Sequence, residues 1–325
     1  MRIFVSVLQN NFRRLAERKS KLYLFLFLTA CSIAAALFIN TKADTAGSIA
    51  VVSAKDVAIP SAYVNITRLE QAPPLSDLVM GKYDAAVVFD GQGNCEIQTI
   101  KNDAFRQTLE NIIYDPANFT VEQIDSRGSG TNIVGFMMMF ILMQGISMIH
   151  MFAEDIEKKQ IERIAASPIS FSSYLCAHSF FTFVVLVVPV LLMLVIVKAV
   201  LNIEIGFSLL TYLYITAFLG AFATAFALFL IAFIKKEDSA SMVGSALIVL
   251  TSILSGSFYS FDKGNKALEI IIKVLPQKAF LSMTGLLEQG SGISQWYQFG
   301  LYIAALIVFF FVAAIIKTRK DYVKG

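Results

Sequence analysis

The segment of residues 153–175, AEDIEKKQIERIAASPISFSSYL, carries the side chains best suited to recognising another molecule. It places four acids and three bases between two long apolar runs. At 100° per residue, the isoleucines share one side of a helix and most of the charges share the other. The isoleucines are Ile156, Ile161 and Ile164, and the opposing charges are Asp155, Lys158, Lys159 and Glu162. Ser167-Pro168 ends this helix, because the residue before a proline disfavours the α conformation.

This amphipathic helix has two interpretations. It is either a solvated linker that lies on lipid headgroups or a docking element that fits a groove of a soluble partner. An anionic inner leaflet would repel the four acids of the segment, which argues against the linker. Docking would use the charges to set the register and the isoleucines to fill the groove.

The sequence lacks a set of side chains suited to catalysis. The two histidines, His150 and His178, and the three cysteines, Cys31, Cys95 and Cys176, do not form a metal-binding or nucleophile motif. A phosphate-binding G-x-x-x-x-G-K-[ST] loop is also missing. The sequence therefore predicts no catalytic residue, no metal site and no cofactor in this chain. The bases lie beside apolar runs rather than in a stripe with aromatics, which argues against nucleic-acid binding.

The rest of the chain points to a lipid environment. It is 56% hydrophobic and only 16% charged, whereas a soluble globular protein averages about 25% charged residues. The apolar residues form six runs of membrane-spanning length. These are 22–39, 132–152, 179–197, 208–234, 240–260 and 297–316. The predicted fold class is an α-helical polytopic membrane protein with six transmembrane helices.

Two regions outside these runs have a different character. Residues 1–21 predict an amphipathic interfacial helix, with Phe4, Leu8, Phe12 and Leu15 on one face. Residues 40–130 contain short strand and helix patterns separated by Pro, Gly, Asn and Asp, which predicts a small α/β domain between the first and second spans. Residues 266–290 form two apolar pieces broken at Pro276, each too short to cross a bilayer.

The basic residues predict the orientation. Six spans put both termini on one side of the membrane, and that side with its loops holds fifteen bases against five in the two short loops opposite. Both termini, the tail 317–325 and the segment 153–168 are therefore expected in the cytoplasm. The α/β domain and the broken helices are expected outside, and 131–316 forms a five-helix membrane domain.

The second apolar run offers candidate pathway-lining residues. It concentrates methionines, whose flexible thioethers suit a promiscuous apolar surface. Met138 and Met148 are the candidates, together with Gln144, a polar residue deep within the run. Ordinary core or lipid-facing methionine is the alternative.

The string EDIEKKQIERIAASPISFSSYLCAH resembles the signature after the second span of type-2 permeases of ATP-binding-cassette exporters. The similarity lies in Glu157-Lys158, in the run from Ile161 to Ile164 and in Ala166-Ser167-Pro168. Two further passages resemble the same permeases: LSGSFYSF followed by LEIIIKVLPQKAF with its Leu275-Pro276 pair, and LSDLVMGKYDAAVVF in the α/β domain. The order of one span, one outer domain and five spans is also that of the family.

The resemblance implies a role for each part of the charged segment. Residues 153–168 would be the coupling helix that sits in a groove of an ATPase subunit. The contacts would come from Glu157, Glu162 and Arg163 through charge, from Ile161 and Ile164 through apolar packing, and from the Ser167-Pro168 end. ATP and magnesium would bind the partner ATPase, not this chain.

The resemblance also implies the assembly and its setting. A second permease copy or paralogue would complete a bacterial cell-membrane exporter for an apolar or amphipathic compound, such as a drug, peptide antibiotic or lipid. Two other classes are weaker. An intramembrane enzyme needs a catalytic set that the spans do not provide. A non-transporting receptor or scaffold presenting the outer domain explains one anchoring span but neither the five further spans nor the charged segment.

Overall fold

We analysed a computed structural model of the chain, which describes residues 2–43, 48–52, 65–69, 71–79, 83–89, 95–99, 103–114, 128–166, 171–257 and 266–322. It divides into two compact units, one of Met1–Leu37 with Gly128–Gly325 and one of Phe38–Arg127. The elements in chain order are α1 (Arg2–Glu17), α2 (Lys19–Ala43), β1 (Ser48–Val52), β2 (Asn65–Leu69), α3 (Leu75–Val79), β3 (Ala85–Phe89), β4 (Cys95–Thr99), α4 (Asp103–Tyr114), α5 (Ser129–Ser147), α6 (Ile149–Glu157), α7 (Gln160–Ala165), α8 (Phe171–Ala199), α9 (Leu209–Ile234), α10 (Glu237–Leu254), α11 (Lys266–Val274), α12 (Pro276–Glu288) and α13 (Ile293–Tyr322).

Five helical segments in the described part of the chain are long and apolar enough to cross a membrane. They are α5 with α6, α8, α9, α10 and α13, and their lengths run from 18 to 29 residues. At 1.5 Å per residue, the longer ones exceed the ~30 Å hydrocarbon core. The apolar part of α2, Tyr23–Phe38, is a shorter helix. The chain is therefore a polytopic helical membrane protein, and the sixth span stays a prediction.

Small residues let the central helices of this unit approach closely. A Cβ atom added to Gly145 of α5 would lie 3.2 Å from the carbonyl oxygen of Ala223 in α9. One added to Gly244 of α10 would lie 2.7 Å from side-chain carbons of Ile146 and Leu230. Burying apolar surface between helices gains little free energy in a bilayer, because the lipid tails are equally apolar. Helices in lipid therefore often associate through close packing of their backbones at small residues. The α5 helix thus approaches α9 closely at Gly145, and α10 approaches both of them closely at Gly244.

Phenylalanine rings attach two further helices to α9. The ring of Phe310 in α13 lies 5.9 Å from that of Phe222 and 5.5 Å from that of Phe226, measured between centroids. Phe280 of α12 lies 6.1 Å from Phe222 in an edge-to-face arrangement. Such geometry is favoured between aromatic rings. It brings α12 and α13 onto the same side of α9.

The end of α12 caps the start of α5. The carboxylate of Glu288 accepts hydrogen bonds from the backbone N–H groups of Gly130 at 2.7 Å and Thr131 at 2.9 Å. These N–H groups have no partner within their own helix, and a negative charge is favourable at a helix N-terminus. Gly206 makes the approach feasible: its φ is +78°, and an added Cβ would lie 2.3 Å from the nitrogen of Gly130.

The second unit contains a four-stranded sheet in the order β2-β1-β3-β4. The β1 strand pairs in parallel with β2 and β3, and β3 pairs antiparallel with β4. Alternate strand residues face opposite sides of the sheet. One face packs on α4 through Ile49, Val51, Ala85, Val87, Ile97, Leu109 and Ile112, and the other packs with α3 through Ala50, Leu78, Tyr83 and Ala86. Strands and helices were expected in residues 40–130, and the position of this unit outside the membrane stays a prediction.

Candidate functional site

The charged segment 153–168 forms two helices instead of the single helix that its periodicity predicts. The first, α6, ends at Glu157, and α7 begins at Gln160 after a turn in which Lys159 adopts a left-handed conformation with φ of 54°. The guanidinium of Arg163 donates hydrogen bonds to the carbonyl oxygens of Lys158 at 2.9 Å and Lys159 at 3.4 Å. Arg163 thus satisfies backbone acceptors at the turn, which stabilises the break.

The predicted contact residues divide into an exposed group and a buried group. Glu157, Glu162 and Arg163 are exposed. Ile161 is 1% exposed and belongs to the main hydrophobic core, and Ile164 is half-buried and packs against that core. In this structure Ile161 packs inside the chain, and the role of Ile161 and Ile164 in contacting a partner stays a prediction. Ser167 and Pro168 lie outside the described residues.

The exposed side of the turn is a short surface of mixed charge. It consists of Glu157, Lys158, Lys159, Glu162 and Arg163, and we call it the charged turn. Charges of both signs at fixed positions can select the orientation of a partner of complementary pattern. The buried Ile161 holds this surface against the membrane helices from beneath.

A partly buried ion pair links the N-terminal helix to α6. The guanidinium of Arg14 in α1 donates to Asp155 Oδ1 at 2.8 Å, to Glu154 Oε2 at 2.8 Å and to the carbonyl oxygen of Met151 at 3.1 Å. Burial alone would lower the pKa of Arg14, but its hydrogen bond to Glu154 and the negative charges of Asp155 and Glu154 outweigh this and raise the pKa overall. Arg14 therefore stays charged at any physiological pH.

Asp155 is the point where three helices meet. Its side chain is 2% exposed. The Oδ1 atom accepts from Arg14, and Oδ2 accepts from the hydroxyl of Tyr174 in α8 at 2.5 Å. Both carboxylate oxygens are thus hydrogen-bonded, which is what a buried carboxylate requires. Asp155 ties α1, α6 and α8 together two residues before the charged turn begins.

Glu154 extends the network toward the surface. It accepts from Arg18 Nη2 at 3.1 Å and from Lys158 Nζ at 2.5 Å, and Arg18 also contacts the ring nitrogen Nε2 of His150. We call the whole set the charge cluster: Arg14, Arg18, His150, Glu154, Asp155, Lys158 and Tyr174. Its Lys158 belongs to the charged turn as well, so the two features are continuous.

The N-terminal helix also packs along α8. Phe12 meets Phe181 edge to face, with ring centroids 5.0 Å apart, and Phe4 lies 5.8 Å from Phe180. The amide of Asn11 lies 3.3 Å from Nδ1 of His178, and both side chains are buried. The predicted amphipathic helix thus buries part of its face against protein as well as presenting basic side chains to solvent.

The candidate pathway residues lie in the interior of the chain. Met138 is 0% exposed within the main core. Gln144 donates to Thr29 Oγ1 at 3.1 Å and to the carbonyl oxygen of Phe25 at 3.3 Å, so it joins α5 to α2. Met148 borders a cavity of about 10 Å³, which has room for a single water. In this structure these side chains pack in the interior of the chain, and their role in lining a pathway stays a prediction.

Sequence patterns did not reveal the charge cluster. Arg14 and Asp155 are 141 residues apart, and no local spacing pairs them. One signal was available: Arg14 and Arg18 stand one helical turn apart on a predicted helix, as do Glu154 and Lys158. The described residues contain no group of three or more His, Cys, Asp or Glu placed to hold a metal ion.

The chain matches a known family of membrane transport proteins. The profile described as ABC-2 family transporter protein matches residues 37–317. This range includes the small α/β unit, the charged turn and every helix from α5 to α12, and it leaves out α1. No curated protein matches the sequence. Since the profile spans most of the chain, the protein belongs to the ABC-2 family of transporter proteins.

Proposed function

We propose that the chain is the permease subunit of an ATP-binding-cassette exporter that moves an apolar or amphipathic compound outward across a bacterial cell membrane. Membership of the ABC-2 family supports the permease subunit itself. The resemblance to exporter permeases supplies the two finer parts of the proposal. These are the outward direction of transport and the class of compound, which is a drug, a peptide antibiotic or a lipid. The observation that carries the proposal is the exposed charged turn, which is joined through Asp155 to three helices.

A separate ATPase subunit is the proposed partner of the charged turn. Glu157, Glu162 and Arg163 would meet it through charge, with Ser167-Pro168 at the end of the same surface. ATP and magnesium would bind that partner. When the ATPase subunits close, the turn would move as a rigid piece, because Ile161 anchors it in the core and α6 packs against α9 and α10. The charge cluster would pass the movement to α1 and α8.

A second permease, either a copy of this chain or a paralogue, completes the proposed transporter. Only a small share of α10 and of α13 is buried within the chain. Large apolar side chains such as Met242, Leu250 and Leu301 are exposed there. In a membrane these faces meet lipid or another subunit. The translocation pathway would then lie between two subunits, which agrees with the closed interior around Met138 and Gln144.

Purification with its ATPase tests the proposed function. We expect a neighbouring reading frame to encode an ATPase that copurifies with the chain, and the complex in lipid should hydrolyse ATP faster when a transported compound is added. A matched complex with an ATPase lacking its Walker A lysine controls for contaminating activity. If the chain purifies alone and no neighbouring ATPase binds it, the exporter proposal is wrong, and the result favours a non-transporting receptor or scaffold.

Cysteine labelling tests the proposed topology, in which both termini are cytoplasmic and the small α/β unit is outside. Cys95 in β4 is half-exposed, and Cys176 near the start of α8 is exposed. In single-cysteine variants, a membrane-impermeant maleimide should label Cys95 in intact cells. It should label Cys176 only after the membrane is opened. Reversed accessibility would put the charged turn on the wrong side for an ATPase.

A further inference from the structure

A crevice of about 180 Å³ lies among the helices, and none of its lining residues belongs to the charge cluster. Its walls include three aromatic rings, those of Phe222 and Phe226 in α9 and Phe310 in α13. Leu247 and Thr251 of α10 and Gln277 of α12 also line it. An apolar protein cavity of roughly 150 Å³ binds benzene. The crevice is therefore large enough for one aromatic ring.

Gln277 gives this apolar crevice a specific polar atom. Its side chain is 4% exposed. The amide Nε2 donates to Thr251 Oγ1 at 2.5 Å, and Thr251 Oγ1 donates its own proton to the carbonyl oxygen of Leu247 at 2.6 Å. Because the threonine proton is used in this way, its oxygen can only accept, which fixes the nitrogen of the amide toward Thr251.

The fixed amide leaves Gln277 Oε1 as the remaining acceptor. This oxygen is buried and has no hydrogen-bond partner among the residues that the structure describes. A buried carbonyl oxygen without a donor costs free energy, and most such atoms in proteins are paired. A ligand with one O–H or N–H donor and an apolar body would relieve this cost while filling the crevice.

The crevice is accessible from the lateral surface of the helical unit. Leu247 is 42% exposed, and Thr251, Phe226 and Phe310 are half-buried. Both α10 and α13 pack against α9, and the crevice lies beside that shared neighbour. Where this surface meets lipid, a ligand would enter from the membrane after partitioning into it. This requirement selects small amphipathic molecules over strongly charged ones.

We propose that the crevice is a binding site for a phenol-type group, with the ring packed against Phe222, Phe226 and Phe310 and the hydroxyl donating to Gln277 Oε1. Aromatic rings favour offset or edge-to-face contact with a bound ring. The hydroxyl supplies the one donor that the site lacks. This site is separate from the charged turn, and its occupation requires neither ATP nor a partner subunit. The proposal of a phenol site can therefore be disproved without affecting the exporter proposal, and the exporter proposal can be disproved without affecting the phenol site.

Photolabelling with two matched probes tests the site. The first probe is a phenol bearing a trifluoromethyl diazirine, and the second is its methyl ether, which has the same ring but no donor. The unaltered chain in lipid nanodiscs is irradiated with each, and crosslinked peptides are identified by mass spectrometry. We expect crosslinks to residues that line the crevice in α9, α10, α12 and α13, with the phenol labelling at about tenfold lower concentration than the ether, the effect of one buried hydrogen bond.

Two substitutions and a control sharpen this test. Gln277→Met keeps the side-chain length but removes the acceptor, so the phenol and the ether should label equally. Leu247→Trp should obstruct the entrance and weaken labelling by both probes. Gln295→Met changes an exposed glutamine at the start of α13 and should keep the tenfold preference. Equal labelling of the unaltered chain by both probes, or crosslinks confined to residues outside the crevice, would overturn the proposal without any variant.

Discussion

Arg14→Met should lower the free energy of unfolding by about 3 kcal/mol and remove most ATP-driven transport, although the chain still inserts into the membrane. The substitution leaves the carboxylate of Asp155, which is 2% exposed, without its cationic partner. Removing one member of a buried ion pair typically costs about 3–5 kcal/mol, because the other charge stays buried and unpaired. The hydrogen bond from Tyr174 remains and should keep the loss near the lower end of this range.

Unfolding in detergent and transport by the reconstituted complex measure the two effects of Arg14→Met. Arg13→Met is the matched control, because Arg13 is the preceding residue of the same helix and is exposed. It should change the unfolding free energy by less than about 0.5 kcal/mol.

A second substitution separates charge from packing. Asp155→Asn combined with Arg14→Met removes the stranded charge and should recover part of the lost stability. It should not restore transport, since the link between α1 and α6 is still missing. An Arg14→Met variant as stable as the Arg13→Met control would show that the cluster contributes little to the fold. Equal transport by the two single variants would rule out the role of α1 in coupling.

The membrane helices could be predicted from sequence because their cause is local. The apolar runs 132–152, 179–197, 208–234, 240–260 and 297–316 each fall within or overlap an observed long helix, α5 with α6, α8, α9, α10 or α13. A helix in lipid satisfies its own backbone hydrogen bonds, so an apolar run of sufficient length is enough to specify it. The run 22–39 lies within α2, whose apolar part is shorter.

The charged segment was less predictable because non-local contacts decide its shape. Neither glycine nor proline marks the turn, and lysine rarely adopts the positive φ that Lys159 has. The conformation is supported by Arg163, which bonds the carbonyls of Lys158 and Lys159, and by Ile161, which is drawn into the core. Helical periodicity placed Ile161 on the apolar side of the predicted helix. It could not tell whether that side of the helix contacts a partner or the protein itself.

Glu162→Lys should weaken binding of the partner ATPase at least about tenfold while leaving the stability of the isolated chain nearly unchanged. Glu162 is exposed in the charged turn, and no ion pair or hydrogen bond involving its side chain is found among the described residues. Reversing its charge would therefore disturb the external surface and little inside the chain. Placing a like charge against a complementary interface costs affinity and, at the rim, slows association.

Arg163→Glu is the less specific of the two reversals. The Arg163 guanidinium also supports the turn through Lys158 and Lys159, so its loss should lower both ATPase binding and the order of the turn. Binding of the purified ATPase to each variant, and ATP hydrolysed per molecule exported, are the measurements. Glu204→Lys provides the matched control, because Glu204 is an exposed glutamate in the connection between α8 and α9. If Glu162→Lys bound the ATPase as tightly as this control does, the charged turn would not be the docking surface, whatever the family of the chain.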